Sequence, residues 1–307
     1  QGLMWRTFTE SGTLQYPDFI ETVIRLKPFY WLRVLGGGLY FTGILLAAYN
    51  VIRTISASKK SNTDLSDTTV QVKSYKSFKI EGKTWHSRLE QKPVLFTVLS
   101  LIAVFIGGLV EIVPMLAIAS NIPTIQSVKP YTPLELEGRD IYVREGCYNC
   151  HSQMIRPFRD EVLRYGDYTK SGEAVYDRPF QFGSKRTGPD LQRVGGKYPH
   201  FWHYRHMLEP TSVVAGSIMP AYPWLFKDDL NKELTKRKLE VMKRLGTPYS
   251  DEEVDNAVSN LEQQAEKISS ELTSQGASQD ENLKNKEIIA LIAYLQKLGT
   301  DIKGEIK

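Results

Sequence analysis

The chain has 307 residues, enough for two or three structural units, and a formal net charge of only +4. So small a charge gives no global electrostatic support for nucleic-acid binding, and no nucleic-acid partner is expected. The mean hydropathy of -0.31 is mildly polar, but this average conceals two strongly apolar stretches.

The first apolar stretch covers residues 29–55, and from Val34 to Ile52 it runs for 19 residues without a charge. That length is sufficient to cross the hydrocarbon core of a membrane, which favours a membrane span over a buried core helix. Pro28 stands where such a helix can begin. The chain itself starts with neither Met nor a signal peptide, so we expect it to be a piece of a longer polypeptide or a processed product.

The second apolar stretch covers residues 93–119, with an uncharged run of 17 residues from Val94 to Val110. Glu111 interrupts it near its far end. An acidic group at that depth is either a functional site or an interfacial residue just clear of the lipid. Pro114 predicts the end of this helix or a kink in it.

The loop between the two spans, residues 53–92, contains nine Lys or Arg residues against four Asp or Glu residues. Cytoplasmic loops carry such an excess of positive charge, so both outer ends of the chain are expected in the periplasm. Within the loop, residues 61–69 are polar and turn-prone, which is typical of a linker.

The chain's two cysteines lie in Cys147-Tyr-Asn-Cys150-His151, after a helix predicted over residues 134–145. C-x-x-C-H is the attachment signature of haem c, in which both thiols bind one porphyrin and the histidine ligates the iron. A zinc half-site would need two further ligands, and a thioredoxin-like redox pair would need a βαβ context. The motif therefore predicts one covalent haem c, a group that bacteria attach outside the cytoplasm.

The sixth iron ligand has to come from elsewhere in this domain. Met219 is favoured because it lies in Ser-Ile-Met-Pro-Ala-Tyr-Pro, a proline-stiffened loop that can hold a thioether on the iron. Met207 lies in a predicted helix, where core packing is the commoner role. A bis-histidine site is the remaining alternative, and its candidates are His200, His203 and His206.

Two further features follow the haem motif. In Gly-Pro-Asp-Leu at residues 188–191, the Pro189 carbonyl has the chemistry to accept the Nδ1–H of His151 and to orient its ring. Four basic residues either pair with the haem propionates or form a solvated surface: Arg156, Arg159, Lys185 and Arg186.

The last part of the chain contains two different helical patterns. Residues 228–284 are charged and read as two exposed helices inserted into the domain, the second with a capping box at Ser250 and Glu253. Residues 286–298 form an amphipathic helix. Together with the helix over 134–145, this terminal helix is typical of a class I cytochrome c.

Three segments resemble the mono-haem cytochrome c subunit of cbb3-type haem–copper oxidases: YTPLELEGRDIYVREGCYNCHSQMIRPFRDEVLRYGDYT, GSKRTGPDLQRVGGKY and MPAYPWL. The preceding GGLVEIVP is similar to the single membrane anchor of that subunit, and the resemblance covers roughly residues 82–307. It implies that Cys147 and Cys150 carry the haem and that His151 and Met219 ligate it. The first sixty residues are similar to the last helix of the catalytic subunit of the same oxidase.

The resemblance implies a fused polypeptide with four parts: a catalytic-subunit helix over 1–60, a cytoplasmic linker over 61–81, an anchor over 82–123 and a periplasmic haem domain over 124–307. We expect an all-α protein of the bacterial inner membrane that passes electrons from a periplasmic donor to a haem b. The implied partners are the catalytic haem–copper subunit, the di-haem subunit, a soluble cytochrome c and membrane lipid. The oxygen-reducing centre would lie on preceding helices, so this piece alone should not reduce oxygen.

Two functions of other classes compete with electron transfer. A haem-based sensor would leave Met219 off the iron, and a stable low-spin spectrum that ignores carbon monoxide would exclude it. A structural assembly subunit would allow turnover of the oxidase after loss of the haem.

Overall fold

The computed structural model describes residues 2–60, 84–118, 124–183, 185–277, 280 and 282–303. Among these residues there are helices, turns and two isolated β-bridges but no strand, so the predicted all-α class is confirmed. The α-helices are α1 (Gly2–Trp5), α2 (Phe19–Lys60), α3 (Trp85–Glu90), α4 (Pro93–Ala117), α5 (Pro133–Arg144), α6 (Arg159–Tyr165), α7 (His200–Leu208), α8 (Pro210–Val213), α9 (Thr235–Arg244), α10 (Asp251–Asp255), α11 (Ala257–Ser274) and α12 (Glu287–Lys297). They fall into two compact units, residues 2–28 with 124–303, and residues 29–118.

Among the described helices, two are long and apolar enough to cross a membrane, as predicted. The apolar windows lie in Phe19–Ala57, with a hydropathy of 1.5, and in Pro93–Met115, with a hydropathy of 2.5. Their apolar side chains are exposed in the isolated protein, as lipid-facing residues should be. Pro28 lies inside the first helix, and Pro114 lies inside the second, which continues to Ala117. The prediction that Pro28 marks the start of the first helix is therefore wrong. The helix begins at Phe19, nine residues before Pro28, where the Asp18 side chain accepts a hydrogen bond from the Ile20 amide at 3.2 Å.

The core of the first unit is built around the crossing of α5 and α12. The two backbones approach so closely at Gly138 that a Cβ there would lie 1.9 Å from the carbonyl oxygen of Ala290. One turn later the rings of Tyr142 and Tyr294 pack with their centroids 5.3 Å apart. The Tyr294 hydroxyl accepts a hydrogen bond from Nε2 of Gln153 at 2.9 Å, so the helix crossing also holds the segment that follows the haem motif.

The charged insertion over 228–284 packs against this core through α11. The prediction that the insertion forms two exposed helices is therefore wrong for α11. Five apolar residues on one face of α11 are buried: Ala257, Leu261, Ala265, Ile268 and Leu272. Because this face packs against the core, α12 is buried on every side from Ile288 to Leu295 rather than on one stripe. The capping box of Ser250 and Glu253 is present at the start of α10.

Candidate haem c site

A tight turn after α5 presents both cysteines and the histidine of the motif. Gly146 ends the helix with a φ of +70°, and the Cys147–Asn149 segment then forms a single 3-10 turn. Within this turn the amides of Cys150 and His151 both donate to the Cys147 carbonyl, at 3.1 and 2.9 Å. The protein's own backbone hydrogen bonds thus fold the motif into one compact turn.

Both sulfurs are free thiols, one half-buried at Cys147 and one exposed at Cys150. Burial, with a contribution from the Glu145 carboxylate, raises the pKa of Cys147 to about 12. A neutral thiol is a poor metal ligand, because metals bind the thiolate. No cluster of three or more His, Cys, Asp or Glu residues suited to a metal ion occurs in the described part of the chain.

The ring of His151 is packed against the Gly188-Pro189 backbone. Its Nδ1 lies 2.8 Å from the Pro189 carbonyl oxygen, and since a carbonyl can only accept, Nδ1 carries the proton in this contact. A Cβ on Gly188 would lie 2.3 Å from Cε1 of the ring, so only glycine permits the approach. Burial lowers the pKa of His151 against the opposing effects of Pro189 and Asp190. The imidazole is therefore neutral, and its Nε2 lone pair is available to a metal.

A buried polar network fixes the two segments that meet at this contact. Asp190 accepts hydrogen bonds from the Ser152 hydroxyl at 2.6 Å and from the Met154 amide at 2.9 Å. Arg186 donates to the Ser152 hydroxyl at 2.7 Å and, through two nitrogens, to both oxygens of Glu161 at 2.6 and 2.8 Å. Since Ser152 and Asp190 are the chain neighbours of His151 and Pro189, the network holds the histidine and its carbonyl partner in register.

This network also changes the role expected for the basic residues. The side chain of Arg186 is only 4% exposed and binds both oxygens of Glu161, so Arg186 does not belong to a solvated surface. Its pairing with a haem propionate stays a prediction. Arg156 lies 3.4 Å from the same carboxylate. Arg159 donates to the Gly12 carbonyl at 3.0 Å instead. Lys185 is exposed.

The loop that carries Met219 packs on the core of the first unit. Met219 is half-buried and packs, together with Cys147, against the core of the unit. Three residues later, burial and the charges of both cysteines raise the pKa of Tyr222 to about 12, which places this hydroxyl near the two sulfurs. The Tyr222 amide donates to the Met207 carbonyl at 2.9 Å. Met207 itself is buried in the core, where it has the packing role that its helical position predicted.

The three histidines of α7 have different surroundings. His200 is directed to α11, where its Nδ1 lies 2.8 Å from a carboxylate oxygen of Glu271. Burial lowers the pKa of His203 to about 3, and burial with the charge of His151 lowers the pKa of His206 to about 4. Nδ1 of His206 is buried without a hydrogen-bond partner in the described part of the chain. His206 thus differs from His203 in that its pKa is also lowered by His151. The sequence alone did not reveal this difference.

The residues present fit a haem c. Two free thiols are spaced by two residues, an oriented imidazole follows them, and the half-buried Met219 packs on the same core as Cys147. In a bound haem c the protein's part is to supply the thioethers and the two axial ligands. The assignment of each ligand remains a prediction.

Two groups of known proteins resemble this chain. The family model described as cytochrome c oxidase, mono-heme subunit/FixO, matches residues 86–302. The N-terminal region is similar to a bacteroid cytochrome c oxidase subunit 1 homolog of Bradyrhizobium diazoefficiens, with 53% identity over 55 residues, or 18% of this chain and 10% of that protein. It is also similar to the cbb3-type cytochrome c oxidase subunit CcoN1 of Stutzerimonas stutzeri, with 42% identity over 64 residues, or 21% of this chain and 13% of that one. The chain therefore spans about a tenth of the length of these curated relatives.

Proposed function

Because this chain belongs to the family of mono-haem cytochrome c oxidase subunits, we propose that it transfers electrons through one covalent haem c in a cbb3-type oxidase. Cys147 and Cys150 hold the haem, and Nε2 of His151 and the thioether of Met219 ligate its iron. The electrons come from the di-haem subunit or a soluble cytochrome c and pass to a haem b of the catalytic subunit. The haem supplies one-electron chemistry, and the chain supplies attachment, orientation and burial.

The contact between His151 and Pro189 is the observation that carries this proposal. A redox-active thiol pair does not require the adjacent histidine to be neutral, buried and held by its Nδ1, whereas a metal-ligating histidine is held in this way. Here the 2.8 Å contact to a carbonyl and the glycine beneath the ring leave Nε2 as the ring's free ligand atom. Hydrogen bonding of this kind also strengthens the donor character of the opposite nitrogen, which is one way in which a protein tunes the iron.

The proposed location follows from the two apolar helices and the charges between them. We place the loop over 53–92 in the cytoplasm and the haem domain in the periplasm, with the chain in the bacterial inner membrane. The proposed parts are those of the sequence prediction, 1–60, 61–81, 82–123 and 124–307, and residues 61–81 lie outside the described residues.

Optical spectroscopy of the chain, produced with haem c maturation, tests the ligand set. The haem should remain attached after denaturation, and a sulfur-to-iron charge-transfer band should disappear in Met219→Ala. Met207→Leu is the matched control, since it conserves the volume of a buried methionine and should cost less than about 1.5 kcal/mol. A band that persists in Met219→Ala, or a low-spin spectrum lost in His206→Ala, would overturn the assignment of the sixth ligand.

A further inference from the structure

The segment that precedes the first apolar helix, residues 2–28, lies in the same compact unit as the haem-bearing domain. A single antiparallel bridge between Phe8 and Leu14 closes a turn at Gly12, whose φ is +77°. Leu14 and Val23 are buried although the segment is short. Because so short a segment has little core of its own, this burial must come from packing on the rest of the unit.

Two arginines of α6 bind the backbone of this segment. Nη1 of Arg164 donates to the carbonyl of Tyr16 at 2.6 Å and to that of Pro17 at 3.1 Å, and Nη2 donates to the carbonyl of Trp5 at 3.1 Å. Arg159 donates to the Gly12 carbonyl at 3.0 Å. Carbonyls at a chain reversal have no helical or sheet partner, and a planar guanidinium can satisfy several of them at once.

Two cation–π pairs accompany these hydrogen bonds. The guanidinium of Arg159 lies 5.1 Å from the ring centroid of Phe8, and that of Arg6 lies 5.4 Å from the ring centroid of Phe158. Each pair joins the segment to α6 or to the residue directly before it, and cations within this distance of a ring are attracted to its face.

A second contact joins the segment to the methionine loop. A Cβ on Gly216 would lie 3.0 Å from Cδ1 of Ile24, and the φ of Gly216 is +82°. A side chain at this position would be strained by the backbone and crowded by Ile24. Gly216 is three residues from Met219, so the segment touches the loop that presents the proposed iron ligand.

We propose that α6 and the loop from Gly216 to Met219 form a docking surface for residues 2–28. This occupant belongs to the N-terminal region that resembles oxidase subunit 1, whereas the surface lies within the residues matched by the mono-haem family model. The haem domain thus binds the segment that resembles oxidase subunit 1 through arginines that donate to its backbone carbonyls. This contact lies next to the loop that carries Met219. Arg159 and Arg164 are positioning residues for this contact.

Hydrogen–deuterium exchange on the full, haem-loaded chain tests the surface. The Gly12 and Gln15 amides donate to the carbonyls of Thr9 and Thr7, both at 2.9 Å, and report on the turn of the segment. Arg159→Lys combined with Arg164→Lys keeps both charges but removes the planar fork. We expect exchange in residues 7–17 to become at least about tenfold faster, since local opening then no longer breaks docking contacts.

Arg237→Ala, which alters an exposed arginine on α9, should leave this exchange unchanged. Ile24→Ala tests the second contact without touching the haem domain's own residues, and it too should accelerate exchange in residues 7–17. Unchanged exchange in both the double lysine variant and Ile24→Ala would overturn the docking surface. Exchange is read without reference to the iron ligands, so failure of the Met219 assignment and failure of the docking contact give separate results.

Discussion

Glu161 is a buried carboxylate whose two oxygens both accept hydrogen bonds from Arg186. Burial alone would raise the pKa of Glu161, but the hydrogen bonds and charge of Arg186 outweigh it and lower the pKa. A carboxylate with a lowered folded-state pKa stabilises the protein above its unfolded pKa, which is about 4.3 for Glu. This stabilisation is lost as the pH falls through the folded-state value.

Glu161→Gln should therefore lower the free energy of unfolding by about 3 kcal/mol at pH 7, because the buried Arg186 loses the carboxylate that binds two of its nitrogens and keeps only Asp190, 3.5 Å away. The difference from the parent chain should shrink as the pH falls below about 4. Denaturant unfolding at pH 7 and at a pH below about 4 measures the difference in the free energy of unfolding between the variant and the parent chain. Glu233→Gln, at an exposed position, is the control. An equal loss at both pH values would mean that shape rather than charge at position 161 matters.

At the scale of helices, α11 is the element whose role differs most from the sequence prediction. Leu272 on its inner face is fully buried, whereas Val258 on the same helix is 38% exposed. Leu272→Ala should lower the free energy of unfolding by about 3 kcal/mol, because it opens a cavity in the main core. Val258→Ala should cost less than about 1 kcal/mol. Chemical denaturation of the two variants measures both losses in the free energy of unfolding. Similar small losses would show that α11 is not part of the stabilising core.

Local pattern predicted the elements of this fold better than their packing. The helix over 134–145 is found at Pro133–Arg144 and the terminal helix over 286–298 at Glu287–Lys297, because apolar spacing and end signals are local. The same spacing cannot say which face of α11 meets which neighbour. Nor can it show that Arg186 forms an ion pair with Glu161, 25 residues away in the chain. Pairing at such distances is decided by tertiary structure.

The candidate site shows the same division. C-x-x-C-H and Gly-Pro-Asp-Leu are short motifs with a mechanism, and the structure brings His151 and Pro189 to 2.8 Å. Tyr222, whose pKa is affected by both cysteines, and His206, whose pKa is affected by His151, carry no sequence signal of their own, since these interactions arise only from tertiary structure.

At the scale of the whole molecule, the proposed orientation in the membrane rests on the loop over 53–92, with its nine basic and four acidic residues. We expect a cysteine placed at Ser56, on the loop side of the uncharged run that ends at Ile52, to react with a membrane-impermeant maleimide only after the inner membrane is opened. A cysteine at the exposed Ser171 of the haem domain should react in spheroplasts with an intact membrane. The parent chain is the control, because its two cysteines should be blocked as thioethers. The reverse pattern would place residues 147–151 in the cytoplasm, where haem c is not attached, and would contradict both the orientation and the cofactor.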